Sequence, residues 1–248
     1  MEVHHHPHLH HKKKNFREYI FEFVMLFLAV FLGFIAENIR VKQENKKKER
    51  EYIYSLEEDI KTDTAQLRIV IDQLIQRDKG IDTLLTVLKD PSVFTNSNRI
   101  FRLRKNLGFR DFIYTDRTIQ QLKSTGEFRL IHKIEVSNKI ISYDADARNI
   151  ISLDNILNDI ISDVLTTVNH ILDFTQIEGW SKGLSYEQLI IPAKPIPLLI
   201  SDQKQLISFY NSITDYKRFA LGFKKTLAEQ YDEGKSLLIF LKKEYRLK

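Results

Sequence analysis

Six histidines near the start of the chain are the residues with the clearest capacity for chemistry. The first eleven residues read MEVHHHPHLHH. Neutral imidazole suits Zn²⁺, Cu²⁺ and Ni²⁺, so this stretch is compatible with a weak metal-chelating tail, in which no carboxylate or Cys fixes a geometry. Pro7 and Leu9 interrupt the run, which favours a native tail over a purification tag. The candidate metal ligands are His4, His5, His6, His8, His10 and His11.

The remaining titratable residues do not form a recognisable catalytic pattern. His132 and His170 have no orienting partner at an identifiable spacing. Acidic pairs such as Asp144 and Asp146 suggest a metal-carboxylate bundle, but those sites also need a Glu-x-x-His pattern, which the helical region lacks. The sequence has no Cys, no P-loop and no dinucleotide fingerprint. We therefore expect no enzyme activity, no catalytic residue and no cofactor.

A stretch of eighteen residues dominates the N-terminal part of the sequence. Residues 19–36 read YIFEFVMLFLAVFLGFIA, in which Glu22 is the one charged residue. A helix of this composition is apolar on all faces, and at 1.5 Å per residue it reaches ~27 Å, close to the ~30 Å hydrocarbon thickness of a bilayer. We predict a transmembrane helix here, with the anchor residues Tyr19, Glu22, Phe23, Leu26, Phe27, Phe31 and Phe34.

Glu22 lies one turn from the start of this span, where its carboxylate can reach the lipid head groups. A proton-relay or helix-pairing role for Glu22 is the alternative. The apolar run continues without a small-x-small cleavage site into helical sequence, so we expect an anchor and not a cleaved signal peptide.

Basic residues flank the span and account for the positive charge of the chain. The formal net charge is +5, with four Lys or Arg just before the span and six just after it. Basic residues in these positions most simply meet anionic head groups, so we predict a lipid bilayer as a partner and no nucleic acid. The flanking residues are Lys12, Lys13, Lys14, Arg17, Arg40, Lys42, Lys46, Lys47, Lys48 and Arg50.

The orientation of the span is a balance between two patterns. Six basic residues on the C-terminal side favour a cytoplasmic helical domain. A short basic tail followed by an uncleaved apolar segment is typical of a signal anchor, which places the following domain outside. We favour the second pattern, and so a periplasmic domain on a single-pass protein of the bacterial inner membrane.

The rest of the sequence predicts long helices. Apolar residues recur every seven positions after the span, which is typical of a packed amphipathic helix or an oligomeric coiled coil. The second core position of this repeat is weaker, because Asp63, Thr64, Arg77 and Asp78 fall near it. The predicted helix-packing residues are Ile53, Ile60, Leu67, Leu74, Ile81 and Leu88.

Pro, Gly and capping residues set the predicted element boundaries. We expect an all-α fold in which residues 1–18 are a tail, 19–36 span the membrane and 37–248 form an antiparallel long-helix bundle with coiled-coil character. The predicted elements are long helices at about 37–89, 133–177 and 202–246, a short helix at about 112–125, a possible short helix near 99–106 and a Pro-rich strap at 191–199.

Two segments carry a resemblance to a known group of proteins. The start MEVHHHPH with FREYIFEFVMLFLAVFLGFIAE, and TIQQLKSTGEFRLI at 118–131, resemble uncharacterised single-span bacterial membrane proteins. The resemblance implies a native His-rich start and an anchor before a helical domain, and it implies no activity. Its marked positions in the second segment are Leu122, Gly126, Phe128, Arg129 and Leu130, which we expect to form a packed helix-turn-helix corner.

Three functions remain open from the sequence. The first is a membrane-anchored interaction or scaffolding protein of the cell envelope, either a homo-oligomer or a subunit bound to another membrane protein. The second is a single-span sensor that binds a small ligand within the bundle. The third is metal binding through the His-rich tail. The heptad stripe favours the first.

Overall fold

The computed structural model describes residues 15–90, 92–93, 97–184, 188–191, 193–200 and 202–247. Regular secondary structure within these ranges is entirely helical. The α-helices are α1 (Phe16–Lys89), α2 (Asn98–Arg104), α3 (Arg117–Ser124), α4 (Ile134–Asn169) and α5 (Gln203–Tyr245). The chain divides into two compact units, residues 1–51 and 52–248.

The first unit, in its described part, consists almost entirely of α1 and exposes its apolar side chains. Phe21 is 72% exposed and Leu26 is 71% exposed. The rings of Phe23, Phe27 and Phe31 stack in succession, with centroids 6.4 and 5.9 Å apart. In the described part of the chain, α1 alone is long and apolar enough to cross a membrane, and its most apolar window is not buried. Signal sequences and core helices can meet the same length and composition criteria.

Three long helices supply most of the core of the second unit. Their buried apolar residues recur at alternating spacings of three and four, so each helix presents one apolar stripe. Helices α4 and α5 pack along each other. Side chains of α1, α4 and α5 share two apolar clusters, one containing Leu67, Leu157 and Phe223 and the other containing Ile53, Ile140 and Leu237.

Residues 108–116 form neither helix nor strand, although the sequence predicts helix from 112 onward. Three of their backbone amides donate to side chains of α1, and the amide of Gly108 donates to the Tyr216 hydroxyl of α5. The amide of Arg110 donates to Gln73 Oε1 at 3.1 Å, and that of Ile113 donates to Gln66 Oε1 at 3.3 Å. Helix α3 consequently begins at Arg117 and ends at Ser124. We call residues 108–116 the extended segment.

Helix α4 ends at Asn169, before the predicted end near 177. The backbone that follows pairs with the Pro-rich strap. The amide of Leu199 donates to Ile171 O at 2.9 Å, and the amide of Asp173 donates to Pro197 O at 3.3 Å. The amides of Ile171 and Leu172 still donate to Val168 O of α4, at 3.0 and 3.1 Å, so residues 171–173 pass from the end of α4 onto the strap.

The N-terminus of α2 holds the same strap from its other side. The amide of Ile196 donates to Asn98 Oδ1 at 2.7 Å, and Asn98 Nδ2 donates to Lys194 O at 2.9 Å. Ser97 Oγ donates to Ile196 O. One side-chain amide therefore satisfies both a donor and an acceptor of the strap, which explains how a segment without helix or sheet is kept in place.

Candidate functional site

The structure describes the predicted anchor residues but not the predicted metal ligands. The proposed metal ligands His4, His5, His6, His8, His10 and His11 lie outside the described residues. The predicted anchor residues all lie on α1 with exposed side chains: Tyr19, Glu22, Phe23, Leu26, Phe27, Phe31 and Phe34. Glu22 lines a shallow groove along α1 with Phe21, Met25 and Ala29.

The predicted helix-packing residues lie in the core of the second unit. All six are at most 8% exposed: Ile53, Ile60, Leu67, Leu74, Ile81 and Leu88. In the turn motif, Leu122 is fully buried on α3, and Gly126 adopts φ +67°, the left-handed region that favours Gly. Phe128, Arg129 and Leu130 follow in a 3₁₀ helix (Glu127–Leu130).

Three aspartates of the second unit are almost fully buried in one polar network that the sequence analysis did not assemble. They are Asp59 and Asp63 on α1 and Asp144 on α4, each at most 3% exposed. The carboxylate of Asp59 accepts from Arg117 Nε at 2.6 Å and from the Thr118 amide at 3.2 Å. Asp59 therefore fixes the first turn of α3 on α1.

Asp144 is the second compensated acid of the network. Its carboxylate accepts hydrogen bonds from Lys123, from Arg148 Nε at 3.1 Å and from the Tyr114 hydroxyl at 3.0 Å. Burial raises the pKa of Asp144, but the hydrogen bonds from Lys123, Arg148 and Tyr114 outweigh it, so the net pKa lies below its usual value. Lys123 lies on α3, so Asp144 links α3 to α4. Arg148 also pairs with Asp116, just before α3, at 3.1 Å.

Asp63 differs because no described basic side chain pairs with it. Its Oδ1 accepts from the Thr115 amide at 2.8 Å, and its Oδ2 accepts from the Tyr143 hydroxyl at 3.1 Å. Burial is the main reason that the pKa of Asp63 rises from 3.8 to about 6. Both donors are neutral, so ionised Asp63 is a buried charge without a counterion.

Gln230 and Gly234 bring α5 against this network. Gln230 Nε2 donates to the backbone oxygen of Tyr143 at 3.1 Å. A Cβ on Gly234 would lie 2.7 Å from Thr64 Cγ2 and 3.3 Å from Tyr143 Cε2. The absence of a side chain at this position therefore allows α5 to approach both α1 and α4 closely.

A second uncompensated acid lies farther along α4. Asp154 is 6% exposed, and its Oδ1 has no hydrogen-bond partner. Burial, with a smaller contribution from the charge of Asp111, raises the pKa of Asp154 from 3.8 to about 6. Asn158, one turn later on α4, donates to Asp111 Oδ1 at 3.3 Å. Asp111 belongs to the extended segment, so both uncompensated acids adjoin it.

The network joins α1, α3 and α4 through buried acids and two tyrosine hydroxyls. Burial and the neighbouring acids raise the pKa of Tyr143 and of Tyr114, so both phenols stay neutral and act as hydrogen-bond donors. Within the described ranges, no three of His, Cys, Asp and Glu come together in a way that could hold a metal ion.

The adjacent acids Glu57 and Glu58 on α1 both form ion pairs with lysines. Glu57 is buried, with Lys61 Nζ at 3.0 Å and Lys242 Nζ at 3.5 Å. Exposed Glu58 pairs with Lys61 at 2.8 Å.

The position of Asp63, three residues after Ile60 and four before Leu67, is the sequence signal for a buried acid, because that spacing places it on the core stripe.

Comparison with protein-family models, curated proteins and solved structures gives no match to this chain.

Proposed function

We propose that this chain is a single-span membrane protein whose helical domain serves as an interaction or scaffolding component of the bacterial cell envelope. The observation that carries the proposal is the apolar part of α1, whose large side chains are exposed over more than the length of a bilayer core. Phe21, Leu26 and Val30 are each at least 70% exposed. Lipid is the solvent that removes such a surface from water most simply.

The size of this surface argues against leaving it in water. Monomeric soluble proteins rarely expose a contiguous apolar patch larger than a few hundred Å². Here the exposed large apolar residues of α1 continue from Phe16 to Val41 with few gaps. All backbone groups within a helix are hydrogen bonded to each other, so the segment meets the requirement for crossing hydrocarbon.

We further propose that α1, α4 and α5 form an antiparallel bundle with coiled-coil character. The seven-residue spacing from Ile53 to Leu88 and the shared apolar clusters support this arrangement. A rigid bundle presents several helix faces to other molecules. We expect its partner to be a second copy of the chain or another membrane protein.

For location, we propose the inner membrane with the helical domain in the periplasm. The short basic tail before the apolar segment supports this orientation, whereas the larger number of basic residues after it opposes it. Fusion of a reporter that is active on only one side of the membrane to Lys248 tests the orientation. Activity of a periplasmic reporter supports the proposal, and activity of a cytoplasmic one contradicts it.

Crosslinking in native membranes tests the scaffolding function. The sequence contains no Cys, so a single cysteine introduced at an exposed position reports contacts without background. Ile239 on α5 is 69% exposed and Ile141 on α4 is 48% exposed, which makes them suitable sites. A crosslinked species of defined mass from either site supports an interaction protein. Only monomer from a set of sites covering every exposed face would contradict it.

A ligand-binding function is the second candidate, because an open groove lies between α4 and α5. The groove has a volume of about 270 Å³ and is lined by Leu153, Ile156, Arg218, Phe219, Gly222, Phe223 and Thr226. Mostly apolar lining with one charged group is typical of small-molecule sites. Gly222→Leu would fill it, so loss of a ligand-dependent stability increase in that variant would favour a sensor.

A further inference from the structure

Two buried carboxyl groups in the second unit pair with no basic side chain that the structure describes, and the extended segment lies beside both. Asp63 on α1 is fully buried and accepts from the Thr115 amide. Asp154 on α4 is 6% exposed, and the negative charge of nearby Asp111 disfavours its ionisation. Thr115 and Asp111 both belong to the extended segment.

The contacts of the extended segment make it separable from the helices that it crosses. Its amides at Arg110, Ile113 and Thr115 donate to side chains of α1, and that of Gly108 donates to the Tyr216 hydroxyl of α5 at 3.3 Å. Its last carbonyl, that of Asp116, belongs to the first turn of α3. Side-chain acceptors can turn away without breaking any helix. Opening of this segment therefore costs less than opening of α4 or α5, whose backbone bonds lie within the helices.

Ionisation of the two acids changes the balance between closed and open forms. A protonated carboxyl group is neutral and tolerates burial, whereas a carboxylate without a counterion needs water. Water reaches Asp63 when Thr115 leaves it, and it reaches Asp154 when the Asp111 region leaves α4. We propose that the extended segment is a proton-controlled latch, held closed while Asp63 and Asp154 are protonated and released more readily once they ionise.

The charged and titratable neighbours of both acids are consistent with this direction. Asp63 faces Asp59 on its own helix, Tyr143 on α4 and Tyr114 on the extended segment. Arg117, the basic residue at the start of α3, is bonded to Asp59. From α5, the neutral Gln230 contacts Tyr143. Asp154 faces Asp111, whose negative charge opposes ionisation.

Opening would convert core residues into an accessible apolar surface. Phe112 on the extended segment is 4% exposed when closed. The ring of Phe109 lies 5.5 Å, centroid to centroid, from that of Phe223 on α5. Release of the segment would uncover Phe223 and the apolar side chains below Phe112. The latch would thereby give the helical domain a second, proton-dependent apolar face, whether or not the chain is anchored in a membrane.

Amide hydrogen exchange on the full-length chain in mild detergent tests the latch. Protection factors at Ile113 and Thr115 give the opening constant after correction for the intrinsic pH dependence of exchange. If each acid regains its ordinary pKa on opening, the opening constant rises about a hundredfold per released acid between about pH 4 and pH 6, and it is level above that range. The amide of Leu227 in α5 serves as the internal reference.

Variants separate the two acids from general loosening of the fold. Asp63→Asn and Asp154→Asn should each flatten part of the pH profile. Asp72→Asn, an exposed acid on α1 that pairs with Arg68 at 3.1 Å, should leave the profile unchanged. A level wild-type profile from pH 4 to pH 7 would overturn the proposal. So would protection factors at Ile113 and Thr115 as large as that of Leu227, because these amides would then exchange only by unfolding of the whole unit. So would retention of the full wild-type response in both Asn variants.

Discussion

The hydroxyl of Tyr143 on α4 lies 3.1 Å from Oδ2 of Asp63 on α1 and donates a hydrogen bond to it. Both residues are at most 1% exposed, so the bond joins two long helices inside the core of the second unit. Asp63 accepts a second bond from Thr115, and Tyr143 accepts one from Gln230 of α5. This pair is thus the point at which α1, α4, α5 and the extended segment are connected.

Tyr143→Phe should destabilise the second unit by about 1–3 kcal/mol, because one oxygen of buried Asp63 loses its donor while the ring volume is kept. Urea unfolding at pH 7 followed by circular dichroism measures this change. Tyr210→Phe on α5 is the matched control, since that half-buried ring faces Lys89 and not a buried acid. Equal free energies of unfolding for the two variants would show that the bond contributes nothing specific.

Asp63→Asn should increase stability at neutral pH and have little effect near pH 4. The folded pKa of about 6 lies above the ordinary 3.8, so the folded state binds more protons than the unfolded state between these values, and stability falls as pH rises through them. The pKa difference corresponds to at most ~3 kcal/mol at pH 7. Thermal unfolding of both proteins at pH 4, 5, 6 and 7 measures the effect, and a variant that is less stable at every pH would contradict it.

Gly234→Ala should destabilise the second unit by about 1–3 kcal/mol through overpacking. The new Cβ would lie 2.7 Å from Thr64 Cγ2, and the residues around it are buried in the core. Gly222→Ala on the same helix is the control, because nothing lies within 4 Å of a Cβ there. That control should be stabilising by about 0.5–1 kcal/mol, since Ala has the higher helix propensity. Two variants of the same sign and size in urea unfolding would contradict the close packing of α5.

Asp59→Ala should release the start of α3. The buried carboxylate accepts from the Thr118 amide and from Arg117 Nε, so its loss leaves a buried donor without a partner and costs about 1–3 kcal/mol. Faster hydrogen exchange at Thr118 and Ile119 than in the wild type would agree with this role. Unchanged exchange at both amides would show that α3 is held by its apolar contacts alone.

The helical class and the buried stripe follow from local sequence. The spacing of Ile53, Ile60 and Leu67 keeps one face of a helix apolar, and nothing nearby competes with that pattern. The same arithmetic locates the buried acids: Asp154 stands four residues after Ile150 and three before Leu157, at a position where apolar residues would otherwise occur. A polar residue on a core stripe is therefore the sequence signal for the network.

The extended segment could not be predicted in this way. Residues 109–125 contain neither Gly nor Pro, so local propensity permits the helix from 112 that the sequence predicts. Acceptors such as Gln73, Gln66 and Asp63, distant in the sequence, determine the outcome by binding the amides of this segment. The end of α4 has the same cause, because the strap at Pro197 and Leu199 binds the backbone beyond Asn169.

The central claim is that the apolar part of α1 resides in lipid, and carbonate extraction of membranes tests it most directly. Membranes from cells that make the full-length chain are washed at high pH, and the chain is quantified in pellet and supernatant. A matched variant carries Leu26→Arg and Phe27→Arg, which place two charges in the middle of the apolar stretch. We expect the wild-type chain to stay in the pellet and the variant to move toward the supernatant. Recovery of folded wild-type chain in the supernatant would contradict it.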